Sequence, residues 1–290
     1  MNKYTPKLFL MAFVLGCLMV AAPLQAAPKS DLWERWVSHD PDSTIAVDHN
    51  PWEILLAKYV YPHEDGINRV AYDAVHLIDQ KALDQYIASL SAVKVSTLNR
   101  NEQQAYWINL YNALTVQVIL DKYPVPSIRN IDISPGFFSD GPWDKALVQI
   151  EGEDITLNDI EHRILRPIWK DPRIHYALNC ASLGCPNQTG KAYNASTSDQ
   201  MLDQAAREFI NHPRAVGLHG GRLYASSIYD WYIEDFGNSE QGVLEHLRQY
   251  AKPELINTLS EFTSIYGYGY DWELNSVIPS IAERIRKRGS

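Results

Sequence analysis

The chain has 290 residues, with 26 Lys and Arg against 35 Asp and Glu, three cysteines and an aromatic share of 11%. That length can bury a substantial core, and the ordinary, aromatic-rich composition excludes a disordered, collagen-like or disulfide-dense chain. A formal charge of −9 repels phosphate backbones, which argues against nucleic acid as a partner.

The first 26 residues read as an export signal: Lys3 and Lys7, an apolar run from Leu8 to Ala22, then Leu24-Gln25-Ala26 before a mature start near Ala27. The run is shorter than a membrane span, and no later segment approaches one, so the processed chain is expected not to be transmembrane. Val14-Leu15-Gly16-Cys17 offers a rival reading, a lipoprotein anchored through Cys17. The apolar stretch continues past Cys17, which favours simple secretion. Either way the expected location is outside the cytoplasm, periplasmic or secreted.

Residues 27–50 are polar and turn-rich and read as a lead-in to a single globular domain over 51–290. Apolar periodicity predicts helices over Pro51–Tyr59, Lys81–Leu90 and Asn101–Leu120, the last followed by Pro124. Thr156 and Asp159 form a capping-box pattern that opens a helix running to about Trp169. Further helices are expected over Asp199–Asn211, Asp230–Phe236, Gly242–Tyr250, Pro253–Thr258 and Ile278–Arg286. Ala146–Ile150 and Ile155–Leu157 flank a turn at Gly152, and Ala215–Leu218 and Arg222–Ala225 flank Gly220-Gly221. Arg173–Asn179 alternates Ile174, Tyr176 and Leu178 with His175, Ala177 and Asn179, the pattern of a half-buried strand. Together these elements predict an α+β class, mostly helical, with a small antiparallel sheet.

Three stretches could carry chemistry. On the Asn101–Leu120 helix, Glu102, Asn109 and Asn112 share one side. They either hydrogen-bond loop backbone or line a site as donors to substrate or oxyanion. In the second stretch Glu161 falls within an apolar stripe and His162 borders it, suiting either a buried ion pair or a base with its orienting carboxylate. The third runs from His175 through Asn179 and Cys180 to Cys185-Pro186. A cysteine at an element end, followed by small residues, is a favourable setting for a nucleophile. Extended chain would hold His175 about 16 Å from Cys180, so His162 is the expected base and His175 the next candidate. A Cys180–Cys185 bridge is the plainer reading of that pair; zinc is disfavoured by the cysteine spacing, and no metal or cofactor is called for. Trp143, after Gly141-Pro142, is expected to wall a pocket. The aromatic loop at Tyr266–Trp272 either caps a core or meets a ligand.

The stretches Ala105–Ala113, Leu157–Leu165, Arg173–Pro186 and Ser226–Phe236, the last carrying Trp231, resemble the family known as domain of unknown function 547. The resemblance spans roughly residues 95–240 and implies no assigned activity. It also implies that plant relatives keep the residues matching Cys180 and His175 and often lack the one matching Cys185. Cys180 then has a purpose other than bridging.

The leading expectation is a thiol-dependent hydrolase or acyl transferase acting on a peptide, amide or ester of the cell envelope. Cys180 would be nucleophile and His162 base, oriented by Glu161 or Glu102, with Asn112 or Asn179 as oxyanion donors and Asn109, Trp143 and Trp231 along the substrate. The roles are analogous to those of papain-like and transglutaminase-like folds, whose arrangement is expected by that analogy alone. The alternative is a non-catalytic domain that binds an envelope component or protein partner, with Cys180–Cys185 as a staple. Thiol–disulfide exchange is weaker, because the familiar two-residue spacing is absent.

Overall fold

A computed structural model describes residues 28–136 and 140–277. The export-signal and Cys17 readings, and the expected helix Ile278–Arg286, lie outside the described residues. Among those described, no helix is long and apolar enough to cross a membrane.

The N-terminal half is built on helices. α1 (Asn50–Tyr59) starts with Pro51 in its first turn and leads into a short antiparallel pair, β1 (Val60–Tyr61) with β2 (Arg69–Val70). α2 (Leu77–Ser91) packs beside α3 (Arg100–Lys122), the longest helix, whose N-cap Asn99 accepts from Glu102 N–H. Every residue from Gln103 to Thr115 is buried, because α3 is apolar or aromatic nearly all round and is enclosed on all sides. The polar stretch before α1 contributes to this core too. Trp36 is 2% exposed and meets Trp107 edge to face at 5.0 Å.

Next comes the hairpin β3 (Val148–Ile150) and β4 (Glu153–Ile155), turning through Glu151 and Gly152, both with positive φ. The capping box forms: Thr156 N–H donates to Asp159 Oδ2 at 3.0 Å, and Asp159 N–H to Thr156 Oγ1 at 2.9 Å. The helix it opens is not uniform. Asp159–Leu165 is π-helical, the wider winding often found at functional sites, and passes into α4 (Arg166–Trp169).

Arg173–Asn179 is not a strand. Asp171 Oδ1 accepts from Arg173 N–H, an Asx turn that starts the short helix α5 (Ile174–Ala177). All four α5 residues are buried, so alternation carried no information about which face met solvent.

The C-terminal half packs on a second core formed by Tyr176, Phe209, Tyr229 and Leu247. It contains α6 (Ser198–Ile210), the hairpin β5 (Val216–His219) with β6 (Arg222–Ser226), and α7 (Ile228–Trp231). The expected helix Asp230–Phe236 is thus split between α7 and a 3-10 turn over Ile233–Phe236, which ends at Gly237 with φ +86°. α8 (Glu240–Tyr250) and α9 (Pro253–Ser260) follow. β7 (Gly267–Gly269) then adds to β6 in parallel, where only antiparallel pairing was expected. The architecture is a mostly helical α+β domain with small sheets.

Candidate functional site

Two asparagines of α3 set the geometry of the chain that passes them. Asn109 Nδ2 donates to Tyr193 O at 2.8 Å while its Oδ1 accepts from Tyr193 N–H at 3.0 Å. One helical turn later, Asn112 Nδ2 donates to Ala177 O and its Oδ1 accepts from Asn179 N–H, both at 2.9 Å. Each amide stands in for a strand neighbour, satisfying buried backbone on both sides. Both side chains thus hold passing backbone, and neither lines the cleft that contains Cys180.

Asn179 holds backbone too. Its Nδ2 donates to Pro186 O at 2.7 Å and its Oδ1 accepts from Ala181 N–H at 2.8 Å. Ala181 sits at φ +58°, the left-handed region, and Cys185 N–H closes a turn onto Ser182 O. A C-terminal strap then pins this turn. Leu183 N–H donates to Glu273 O, Gly184 N–H to Asp271 O, and Asn275 N–H to Ala181 O. Gly184 approaches the strap so closely that a Cβ there would lie 2.7 Å from Asp271 N.

The turn brings the two cysteines together as free thiols, with Sγ atoms 3.0 Å apart. Cys180 is half-buried and faces a cleft, whereas Cys185 is 3% exposed. Cys180 Sγ also lies 2.9 Å from Tyr270 Oη and 3.3 Å from Ser182 Oγ, and Ser182 Oγ donates to Tyr270 Oη at 3.0 Å. Burial pushes the Cys180 thiol up, but hydrogen bonds from Cys185, Ser182 and Tyr270 outweigh it and hold the pKa below the usual thiol value. Cys185 is pushed well above that value by burial and by Cys180. Behind the turn, Arg214 donates to Leu183 O at 3.1 Å and to Asn187 Oδ1 at 2.8 Å. Burial lowers its pKa to about 10.

No histidine nitrogen is hydrogen-bonded to Cys180 among the described residues. His162 Nδ1 lies 3.0 Å from Arg166 Nη1 and so accepts from it, and burial drives the His162 pKa down to about 4. The ring is thus neutral at physiological pH but already engaged. His175 Nε2 lies 2.7 Å from Asp235 Oδ2, and its Nδ1 is 3.6 Å from Glu161 Oε1, too far for a normal hydrogen bond but close enough for attraction between charges. Burial lowers the His175 pKa, and the two carboxylates more than reverse that. Its ring stacks on Tyr232 at 4.1 Å. Glu161 also accepts from Tyr111 Oη at 3.2 Å. Burial raises its pKa, but His162, His175 and Arg166 hold it at about 2. The buried Arg166 completes the network, donating to Asp235 Oδ2 and Glu234 Oε1 at 2.6 Å each.

Glu161, His162, His175 and Cys180 all line one cleft of about 750 Å³, together with Trp143, Asp230, Trp231, Tyr270 and Trp272. Trp231 and Trp272 stack at 5.6 Å, Tyr270 packs against Trp272 at 4.7 Å, and Trp143 meets Trp272 edge to face at 5.8 Å. Glu102 is not part of this cleft. It stands in the first turn of α3 and accepts from Val47 N–H at 3.4 Å. Ser182, Tyr111 and Asp235 belong to the site without having been nominated from sequence, and Tyr270 had been noted only as part of an aromatic loop that either caps a core or meets a ligand. Asp235 had a signal, an acid amid the apolar and aromatic run Tyr232–Phe236. No cluster of three or more His, Cys, Asp or Glu side chains among the described residues could hold a metal ion.

Fold and site together define a mixed helix-and-sheet domain with a tuned thiol in an aromatic-walled cleft. Residues 95–210 match the model of the family described as protein of unknown function, DUF547. The match takes in α3, the π-helical segment, α5 and both cysteines; Tyr270 and Trp272 lie beyond it. Comparison with curated proteins and with solved structures gave no match.

Proposed function

We propose that the chain is a thiol enzyme, a hydrolase or acyl transferase in which Cys180 attacks a peptide, amide or ester of the cell envelope after export. The observation that carries this reading is the setting of the sulfur, open to the cleft with Tyr270 Oη 2.9 Å away and Ser182 Oγ behind it. Donors that lower the thiol's pKa raise the fraction of thiolate available for attack. When sulfur bonds to an acyl carbon, its charge passes to the carbonyl oxygen. The Tyr270 hydroxyl, released from sulfur, is then the nearest donor to that oxygen. Collapse breaks the C–N or C–O bond as the leaving amine or alcohol takes up a proton from solvent, and water or an acceptor nucleophile later releases the thioester, giving a proton back and restoring the Cys180 thiolate. The tryptophan faces supply apolar contact for the substrate.

The test is reaction with an activated ester and with iodoacetamide. A burst of acyl-enzyme confined to Cys180, with alkylation whose apparent pKa lies below that of a free thiol, supports the reading. Absence of any Cys180 adduct, or alkylation at the free-thiol pKa, would overturn it in favour of a non-catalytic envelope-binding domain.

A further inference from the structure

We propose that Cys185 is a resolving thiol and that the Cys180–Cys185 pair carries out thiol–disulfide exchange with small-molecule or exposed protein disulfides. This activity shares only the nucleophilic sulfur with the acyl-transfer reading.

The two sulfurs are unequal in the way such a reaction needs. Both sulfurs border the cleft, but Cys180 is the more open of the two, while Cys185 is 3% exposed and in contact with Cys180 Sγ at 3.0 Å and with Leu178 O at 3.6 Å. A substrate disulfide therefore meets Cys180 first. The four residues between them make a closed turn, held by Cys185 N–H to Ser182 O and by Cys180 N–H to Cys185 Sγ at 2.9 Å. Strap and turn are joined by Leu183, Gly184 and Ala181 backbone bonds, so the cysteines stay adjacent whatever occupies the cleft. The tuned thiol pKa values run in the matching order, the outer sulfur below its usual value and the inner one above. The unusual spacing is thereby answered, because the left-handed Ala181 and the tight turn do the work that a two-residue spacing does elsewhere.

The electron count closes without an outside reagent. Cys180 thiolate attacks one sulfur of the substrate R–S–S–R, forming a mixed disulfide and releasing R–S⁻. Cys185 gives its proton to that departing thiolate. Its own thiolate then attacks Cys180 sulfur, forming the Cys180–Cys185 disulfide and releasing the second R–S⁻. The substrate is reduced to two thiols, and the enzyme pair is oxidised.

The probe is an aromatic disulfide that releases a coloured thiol, applied to the full mature chain and to Cys185→Ser and Cys185→Ala. The wild type should release two coloured thiols per molecule, retain no adduct and lose two hydrogens in mass. Both variants should release one and hold the mixed disulfide on Cys180 at least about tenfold longer. A wild type that keeps the adduct as long as the variants, or releases only one thiol, would overturn the proposal. Iodoacetamide run alongside separates the two failures. Normal rapid alkylation of Cys180 with no resolution condemns the resolving role alone, whereas an inert Cys180 condemns the nucleophile.

Discussion

His175 Nε2 stands 2.7 Å from Asp235 Oδ2, joining buried α5 to the partly buried acid of the turn after α7. The same carboxylate oxygen accepts from Arg166 Nε at 2.6 Å, so one acid serves two cations. This relationship predicts how stability responds to pH. The His175 pKa is raised in the folded chain, so its contribution is full below about 6.5 and is lost as pH climbs through the raised value. Glu161 and Asp235 are depressed, so theirs is full above the ordinary carboxylate range and is lost as pH falls, for Glu161 through about 2. Thermal unfolding followed across pH should show His175→Gln losing the alkaline decline that the parent displays. An unchanged alkaline limb would remove His175 as its source. Asp235→Asn, which removes the carboxylate shared by Arg166 and His175, should lower stability, most at pH values where His175 is protonated.

Tyr270→Phe removes the hydroxyl nearest Cys180 and the acceptor for Ser182. The apparent pKa for alkylation should rise toward that of a free thiol. A rise of one unit would slow labelling at neutral pH about tenfold. Ser182→Ala should act in the same direction. Alkylation rates across pH in the two variants decide this, and an unmoved profile in Tyr270→Phe would show that its hydroxyl does not tune the sulfur.

Asn112→Ala leaves Ala177 O and Asn179 N–H without their buried partner. Denaturant unfolding should show a loss of about 2–5 kcal/mol, and the Cys180 alkylation profile should change because the turn is no longer held. Asn109→Ala, whose clamp is on Tyr193, should cost a similar amount while leaving the alkylation profile in place. Equal effects of both variants on the thiol would refute a division of labour along α3.

Gly184→Ala puts a methyl group against Asp271 backbone, 2.7 Å from N and 2.9 Å from O. Backbone has no rotamer with which to yield. A loss of about 1–3 kcal/mol is expected, together with slower formation of the Cys180–Cys185 disulfide after exposure to the aromatic disulfide. Calorimetry and the coloured-thiol assay measure the two effects separately.

Much of the helical framework was legible. α3, α6 and α8 have long apolar patterns, and both hairpins announce themselves through glycine turns. Arg173–Asn179 was misread because alternation distinguishes strand from helix only when one face meets water, and α5 has no such face. Cys180, Glu161, His162 and His175 could be nominated for their chemistry, and all four line the cleft. Their pairing could not be foreseen. The π-helical winding directs Glu161 and His162 toward Tyr111 and Arg166, and sequence spacing assumes an ordinary helix. Asn109 and Asn112 were weighed as donors to substrate or to loop backbone, and the loop has both. Tyr270 escaped because a tyrosine in an aromatic loop carries no mark of which distant sulfur it will face.

Cys180 and the hydroxyl that conditions it are encoded 90 residues apart, with β5, β6, α8 and α9 synthesised in between. A nascent chain that has reached α6 already contains both sulfurs but lacks the strap that fastens their turn. Until Tyr270 docks, Cys180 lacks one of the three groups that lower its pKa, so its full tuning waits on the strap. Clipping after α9 would take away the Tyr270 hydroxyl and the strap while leaving both sulfurs and the family-matched region intact.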